Sequence, residues 1–199
     1  MTLPVAVVIT PPREAWPTDF RTLAEELGAA PGLEVMAIDH IGSTAVPGLP
    51  AKDVIDAQVI VRSLAPREHI LGALAAVGFV QRPGDWNLRD HIPLGWVGDD
   101  REWDKLVFGP RHGHRPSNVH LRAAGSSNER YALLFRDYLL ADPAARRAWG
   151  EFKTRLAAIA DDRESYGQVK DPASDIVMLA ADPWAAATSW TVAKSRSAG

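Results

Sequence analysis

The chain has no cysteine. That absence excludes a disulfide scaffold, a thiolate zinc site and a cysteine nucleophile. It fits a reducing compartment. A long apolar run is also missing, since no window reaches the ~18 residues that cross a bilayer, and a membrane is not an expected partner. Positive charge is not in excess either. The formal charge is −3, so no global basic field points to nucleic acid. Met1–Ile9 is apolar, but it lacks a basic segment and Pro4 interrupts it. It does not read as a signal peptide, and a cytoplasmic location is the default. Internal repeats and low-complexity segments are absent as well.

What is present suffices for one packed domain. The chain has 199 residues and 46% of them are apolar, which excludes a disordered chain. The expected domain is 1–191, followed by a frayed, disordered tail over 192–199 of small and polar residues.

Phe20, Leu23, Ala24 and Leu27 recur on one helical face, with Pro17 in the first turn and Gly28 past the end. Leu33–Ile38 reads as a strand. A proline- and glycine-bounded loop, Thr44–Pro50, follows it. Val54–Val61 is apolar almost throughout, which predicts a strand buried on both faces, with Asp56 as its anomaly. Pro66–Val77 reads as a helix stopped by Gly78. Short strands are expected at Phe79–Gln81, Arg89–Pro93, Lys105–Phe108 and Asn118–Arg122. The last third reads as helical. Ser126 and Glu129 suggest a capping box. Asp142–Pro143, Asp171–Pro172 and Asp182–Pro183 each read as a helix start. The helix after Pro143 is expected to bury Trp149, Phe152, Leu156 and Ile159, and the whole helical layer to cover the sheet in a structural role. This order implies an α+β fold with a mixed sheet.

Chemistry concentrates between His40 and Asp56. A Gly42–Ser43 turn offers backbone N–H groups and a hydroxyl, and a glycine lets a phosphate approach closely. Twelve residues separate Ser43 from Asp56. A lone carboxylate in an apolar strand is costly unless it is paired or holds a metal. Mg²⁺ favours oxygen ligands shared with phosphates, so Asp56 is a candidate ligand.

The run His40–Ile41–Gly42–Ser43–Thr44–Ala45–Val46–Pro47–Gly48–Leu49–Pro50–Ala51–Lys52 closely resembles the signature of the bacterial-type GrpB family. Val54–Ile55–Asp56, Asn118–Val119–His120–Leu121 and Leu134–Phe135–Arg136–Asp137–Tyr138–Leu139 continue that pattern. Trp149, Lys153, Tyr166 and Lys170 fall where the family places an aromatic or a lysine. The resemblance spans Pro12 to Trp190. It implies a nucleotidyltransferase-like fold of the DNA polymerase beta superfamily, whose pattern is Gly-Ser and then two acids one residue apart. Gly42, Ser43 and Asp56 match. The second acid position holds Gln58, and Asp53 lies on the opposite strand face.

Three functions follow as expectations. The first is a metal-dependent nucleotidyltransferase. A nucleoside triphosphate would place its phosphates on Gly42 and Ser43, flanked by His40, Lys52 and Arg115. Mg²⁺ would sit on Asp56 with Gln58 or His120, and Asp56, His120 and Ser43 would form the catalytic set. The acceptor is an unknown small molecule or protein. The second is an accessory binding module for nucleotide or CoA, because the resemblance extends to domains fused to dephospho-CoA kinase in some bacteria. The third is an enzyme using another metal held by His40, Asp56 and His120. His112 and His114 form a weaker metal candidate, while Trp86, Trp96 and Trp103 read mainly as packing residues.

Overall fold

Alternating apolar residues build the centre of the molecule. The computed structural model describes residues 6–197. Five strands form one sheet in the order β1-β2-β5-β4-β3: β1 Val35–Ile41, β2 Ile55–Val61, β3 Phe79–Gln81, β4 Leu106–Pro110 and β5 Ser117–Ala123. β2 and β5 run parallel, and every other neighbouring pair is antiparallel. The fold is therefore mixed α+β, as the pattern implied.

The two faces of this sheet differ in chemistry. Ala57, Val59, Val61, Val119 and Leu121 point to one side and form the main core with Leu23, Leu27, Ile70 and Leu74. Those last four come from α1 (Trp16–Gly28) and α2 (Arg67–Ala76). The opposite face carries Asp39, Gln58 and Arg122, all buried. It is covered by α3 (Ser127–Ala141) and α6 (Val192–Ser197). Helices α4 (Pro143–Ile159) and α5 (Arg163–Thr188) pack outside α3. Among the described residues no helix is long and apolar enough to cross a membrane.

Several elements depart from the sequence reading. Arg89–Pro93 is not a strand; it makes one isolated bridge, Arg89 to Asp104. Asp90 is instead drawn into a buried ionic network. Pro172 and Pro183 do not start helices, because both lie inside the continuous α5. Asp162 caps that helix through a reciprocal bond pair with Ser165. The backbone bonds lost at the two prolines are offset by burying Met178, Ala181 and Ala185. Ser126 does not close a capping box: its hydroxyl donates to the Ala123 carbonyl, while Glu129 accepts the Gly125 N–H. Ile159 is 79% exposed rather than buried. Residues 192–197 do not fray over their described length; they form α6, whose Arg196 reaches the sheet. Residues 198–199 lie outside the described part.

Candidate functional site

The site begins where β1 ends. Gly42 has φ +69° and opens a short 3-10 turn over Ser43–Ala45. The N–H groups that open such a turn have no partner inside it. A Cβ built on Gly42 would lie 2.7 Å from Asp56 Oδ2. Glycine is thus required at this position by the carboxylate itself, which rests on the turn. Asp56 pairs in register with Ile41 on β1 and with Asn118 on β5. Its side chain keeps 30% exposure, so the carboxylate is partly open to solvent.

The period-2 alternation of β5 places Asn118 and His120 beside Asp56, as expected. The Asn118 amide donates to Asp56 Oδ1 at 2.8 Å. His120 Nε2 stands 3.9 Å from the same oxygen, too far for a direct bond. Its Nδ1 is buried with no partner. Burial lowers the His120 pKa below 6.5, Asp56 opposes this, and the charges of Lys105 and Arg122 lower it further. Burial also works against ionising Asp56. His120, Asn118 and Lys52 outweigh it and hold the carboxyl below its ordinary value.

Gln58 shares this strand face but is fully buried and engaged through both its amide nitrogen and its oxygen. Its amide donates to Asp39 Oδ2 at 2.9 Å, and its oxygen accepts from Arg122 at 2.7 Å. Arg122 and Lys105 then pair with Asp90, while Arg196 pairs with Asp39 and Glu129. Three carboxylates here face three cations. Gln58 belongs to that balanced network, so it is not free to ligate an ion.

The other expected residues divide. His40 pairs in register with Ala57, on the face opposite Asp56. It stacks on Phe20 with centroids 4.5 Å apart and bonds Thr44 at 3.0 Å. Burial, with a smaller push from Arg136, takes its pKa down to about 4 against the pull of Asp56. A set of His40, Asp56 and His120 therefore does not converge. Among the described residues no group of three histidine or acidic side chains is placed to hold a metal. Arg115 is tied to Asp19 and Asp53 near α1. Its charge is matched there rather than at the turn, and Asp53, which also accepts from Trp16, points away from Asp56. His112 and His114 sit exposed on a loop. Trp103 is buried against Trp96 and Tyr131, whereas Trp86 is exposed.

Lys153 is the residue whose role the sequence left unassigned. It is only 2% exposed. Its ammonium donates to Ser43 Oγ and to the Pro50 carbonyl, both at 2.6 Å. The α4 layer, expected to be structural more than chemical, thus reaches the turn. Burial, then the charge of Lys170, lowers the Lys153 pKa to about 7, with Asp56 opposing and Lys52 adding to the shift. Lys52 lies 5.4 Å from the Tyr166 ring centroid. A visible signal existed in the sequence: Lys153 falls on the apolar stripe of α4, between Trp149 and Leu156.

The donor set can be tested against Mg²⁺. That ion binds through one or two carboxylates plus phosphate oxygens and water. Asp56 supplies one partly open carboxylate, which fits a single ion arriving with a phosphate ligand. With Gln58 committed elsewhere, the residues do not fit a second ion.

The family described as GrpB protein matches residues 6–178. A dephospho-CoA kinase of Mycolicibacterium paratuberculosis is 35% identical over 197 residues, covering 92% of this chain and 48% of that protein. A dephospho-CoA kinase of Mycobacterium tuberculosis is 35% identical over 193 residues, covering 92% and 47%. A UPF0157 protein of Pseudomonas aeruginosa is 32% identical over 170 residues, covering 83% and 63%. The chain thus spans about half the length of the kinase relatives. The crystal structure of a conserved protein GrpB from Enterococcus faecalis superposes with a TM-score of 0.69 at 25% identity, covering 87% of this chain and 96% of that one.

Proposed function

The chain belongs to the GrpB family, and from that premise we propose that its cleft binds a nucleoside triphosphate and catalyses nucleotidyl transfer on a nucleotidyltransferase-like fold. One observation carries this reading. The Gly42–Ser43 turn rests on the partly open carboxylate of Asp56, and the Ser43 hydroxyl is held by a buried cation, Lys153. A phosphate chain lying on the turn meets N–H groups and an ammonium on one side. On the other side it meets a carboxylate, which would repel it unless a cation lay between them. Asp56 would hold a single Mg²⁺ there, and that ion would supply charge neutralisation at the reacting phosphorus.

The chain's own residues supply the rest. Ser43 and Lys153 hold phosphate oxygens and fix the chain for in-line attack. Asn118 orients Asp56 through its 2.8 Å bond. His120, neutral at pH 7, accepts the proton of the acceptor hydroxyl. The acceptor oxygen then bonds to the α-phosphorus, the bond to the β-phosphate oxygen breaks, and pyrophosphate leaves.

A second reading is an accessory site that binds a nucleotide or a CoA-type diphosphate without turnover. Gln58 favours it, since the residue removes the acid that a second ion would need. Incubation with each nucleoside triphosphate, or with CoA, plus Mg²⁺ separates the two. Thermal shift reports binding and pyrophosphate release reports turnover. Turnover abolished by Asp56→Asn supports the enzyme. Binding without turnover supports the accessory site. No binding of any of these ligands contradicts both.

A further inference from the structure

Resting on the reading above, we infer that Lys52, Lys153 and Lys170, with Ser43, form a polyphosphate pocket that holds the terminal phosphates without a divalent ion. These lysines would do there what a second metal ion does in two-metal sites.

The strongest observation is an imbalance. Lys153 is almost completely buried, yet among the described residues its ammonium meets no carboxylate. Its bonds go to two neutral oxygens, Ser43 Oγ and the Pro50 carbonyl. An ammonium has three N–H donors, so one remains to be used. A buried charge without a counter-ion is unfavourable. This fold pairs buried charge elsewhere: beneath the same sheet, Asp39, Asp90 and Glu129 are matched by Lys105, Arg122 and Arg196. The missing partner at Lys153 is therefore particular to this site.

The neighbouring cations point the same way. Lys52 stands two residues beyond Pro50, over the Tyr166 ring. Lys170 follows Tyr166 by one turn of α5 and, among the described residues, pairs with Asp171 alone. Burial of Lys153 and the charges of Lys170 and Lys52 lower its pKa together, and Lys170 and Arg163 likewise act on Lys52. Lys52, Lys153 and Lys170 thus share a neighbourhood with two carboxylates, Asp56 and Asp171, and Arg82 and Arg163 add positive charge at its edge. A linear polyphosphate brings several negative charges along a chain of acceptor oxygens, which matches both the surplus and the spare donors. Nucleotides and inorganic polyphosphate share this chemistry.

The test is calorimetric titration of inorganic tripolyphosphate into the whole protein in EDTA, with ATP in EDTA and ATP with Mg²⁺ as parallel arms. The expected result is binding of both ligands in EDTA, weakened at least tenfold by Lys153→Met and by Lys170→Met. The pH series uses ATP in EDTA, whose γ-phosphate holds its full charge between pH 8 and 9. Over that range the wild-type affinity falls as Lys153 loses its proton, and Lys153→Arg stays flat. ATP binding with nucleoside-dependent affinity, alongside weak tripolyphosphate binding, identifies a nucleotide as the source of the chain. Binding of ATP only with Mg²⁺ overturns the lysine pocket and leaves the proposed function standing. No binding in any arm overturns both. Unchanged affinity in a folded Lys153→Met variant also overturns the pocket.

Discussion

Replacing Lys153 with methionine should make the free protein more stable. Lys153 is 2% exposed, and its environment lowers the ammonium from 10.5 to about 7. That is about three and a half pH units, at about 1.4 kcal/mol each. Holding the lysine therefore costs the fold up to roughly 5 kcal/mol at pH 7 and below. The folded pKa lies below the unfolded one, so between about 7 and 10.5 the unfolded chain binds more protons and stability rises with pH. The variant lacks that slope. Against its gain stands the loss of the bonds to Ser43 and Pro50, each worth about 1 kcal/mol. The net stabilisation at pH 6.5 is about 2–3 kcal/mol, or roughly 5–10 °C in Tm for a chain of this length. Urea and thermal unfolding at pH 6.5, 7.5 and 9 measure it, and the gap should narrow as pH rises. A variant less stable than wild type at pH 6.5, or a gap independent of pH, refutes the reasoning. Lys153 would then be a structural tie between α4 and the turn. The predicted behaviour is that of a functional group kept at the expense of stability.

Other perturbations test other links. Arg196→Ala leaves Asp39 and Glu129 without their shared partner. Denaturant unfolding should show a loss of about 2 kcal/mol, scaled down for the partial exposure of the arginine; a loss below about 0.5 kcal/mol would mean that α6 is not held by this network. Gly42→Ala sets a Cβ 2.7 Å from Asp56 Oδ2 at positive φ. It should cost about 1–3 kcal/mol and abolish nucleotide binding, and an alanine variant that binds normally would show that the turn is not the phosphate cradle. The pKa of His40 is pushed from 6.5 to about 4, so the unfolded chain gains a proton that the folded chain refuses as pH falls between those values. Wild-type stability drops across that range by about 2 kcal/mol after allowance for partial exposure, and His40→Gln should flatten the slope.

Local signals carried the sequence reading furthest. β2 was legible because strand alternation and apolar composition act within a few residues, and Asp56 stood out against them. The Gly42–Ser43 turn was legible for the same reason, although its glycine serves to admit Asp56. Long-range partners were not legible. Gln58 was visible as an amide at an acid position, but its capture by Asp39 and Arg122 spans 19 and 64 positions. Lys153 was visible as a charge on an apolar stripe, yet its partner Ser43 lies 110 positions away. Arg196 sat in a segment that reads as a tail, because the partners that order it, Asp39 and Glu129, lie 157 and 67 positions away. Pro172 and Pro183 carried the local signal of a helix start. Packing of α5 against α3 outweighed it.

The most direct measurement is a crystal structure of the protein with Mg²⁺ and a non-hydrolysable nucleoside triphosphate. The account predicts phosphate oxygens within hydrogen-bond distance of Ser43 and Lys153, and one metal ion on Asp56. A nucleotide seated elsewhere, such as beside Arg115 and His114, or phosphates that leave Lys153 bound only to Ser43 and Pro50, would contradict it.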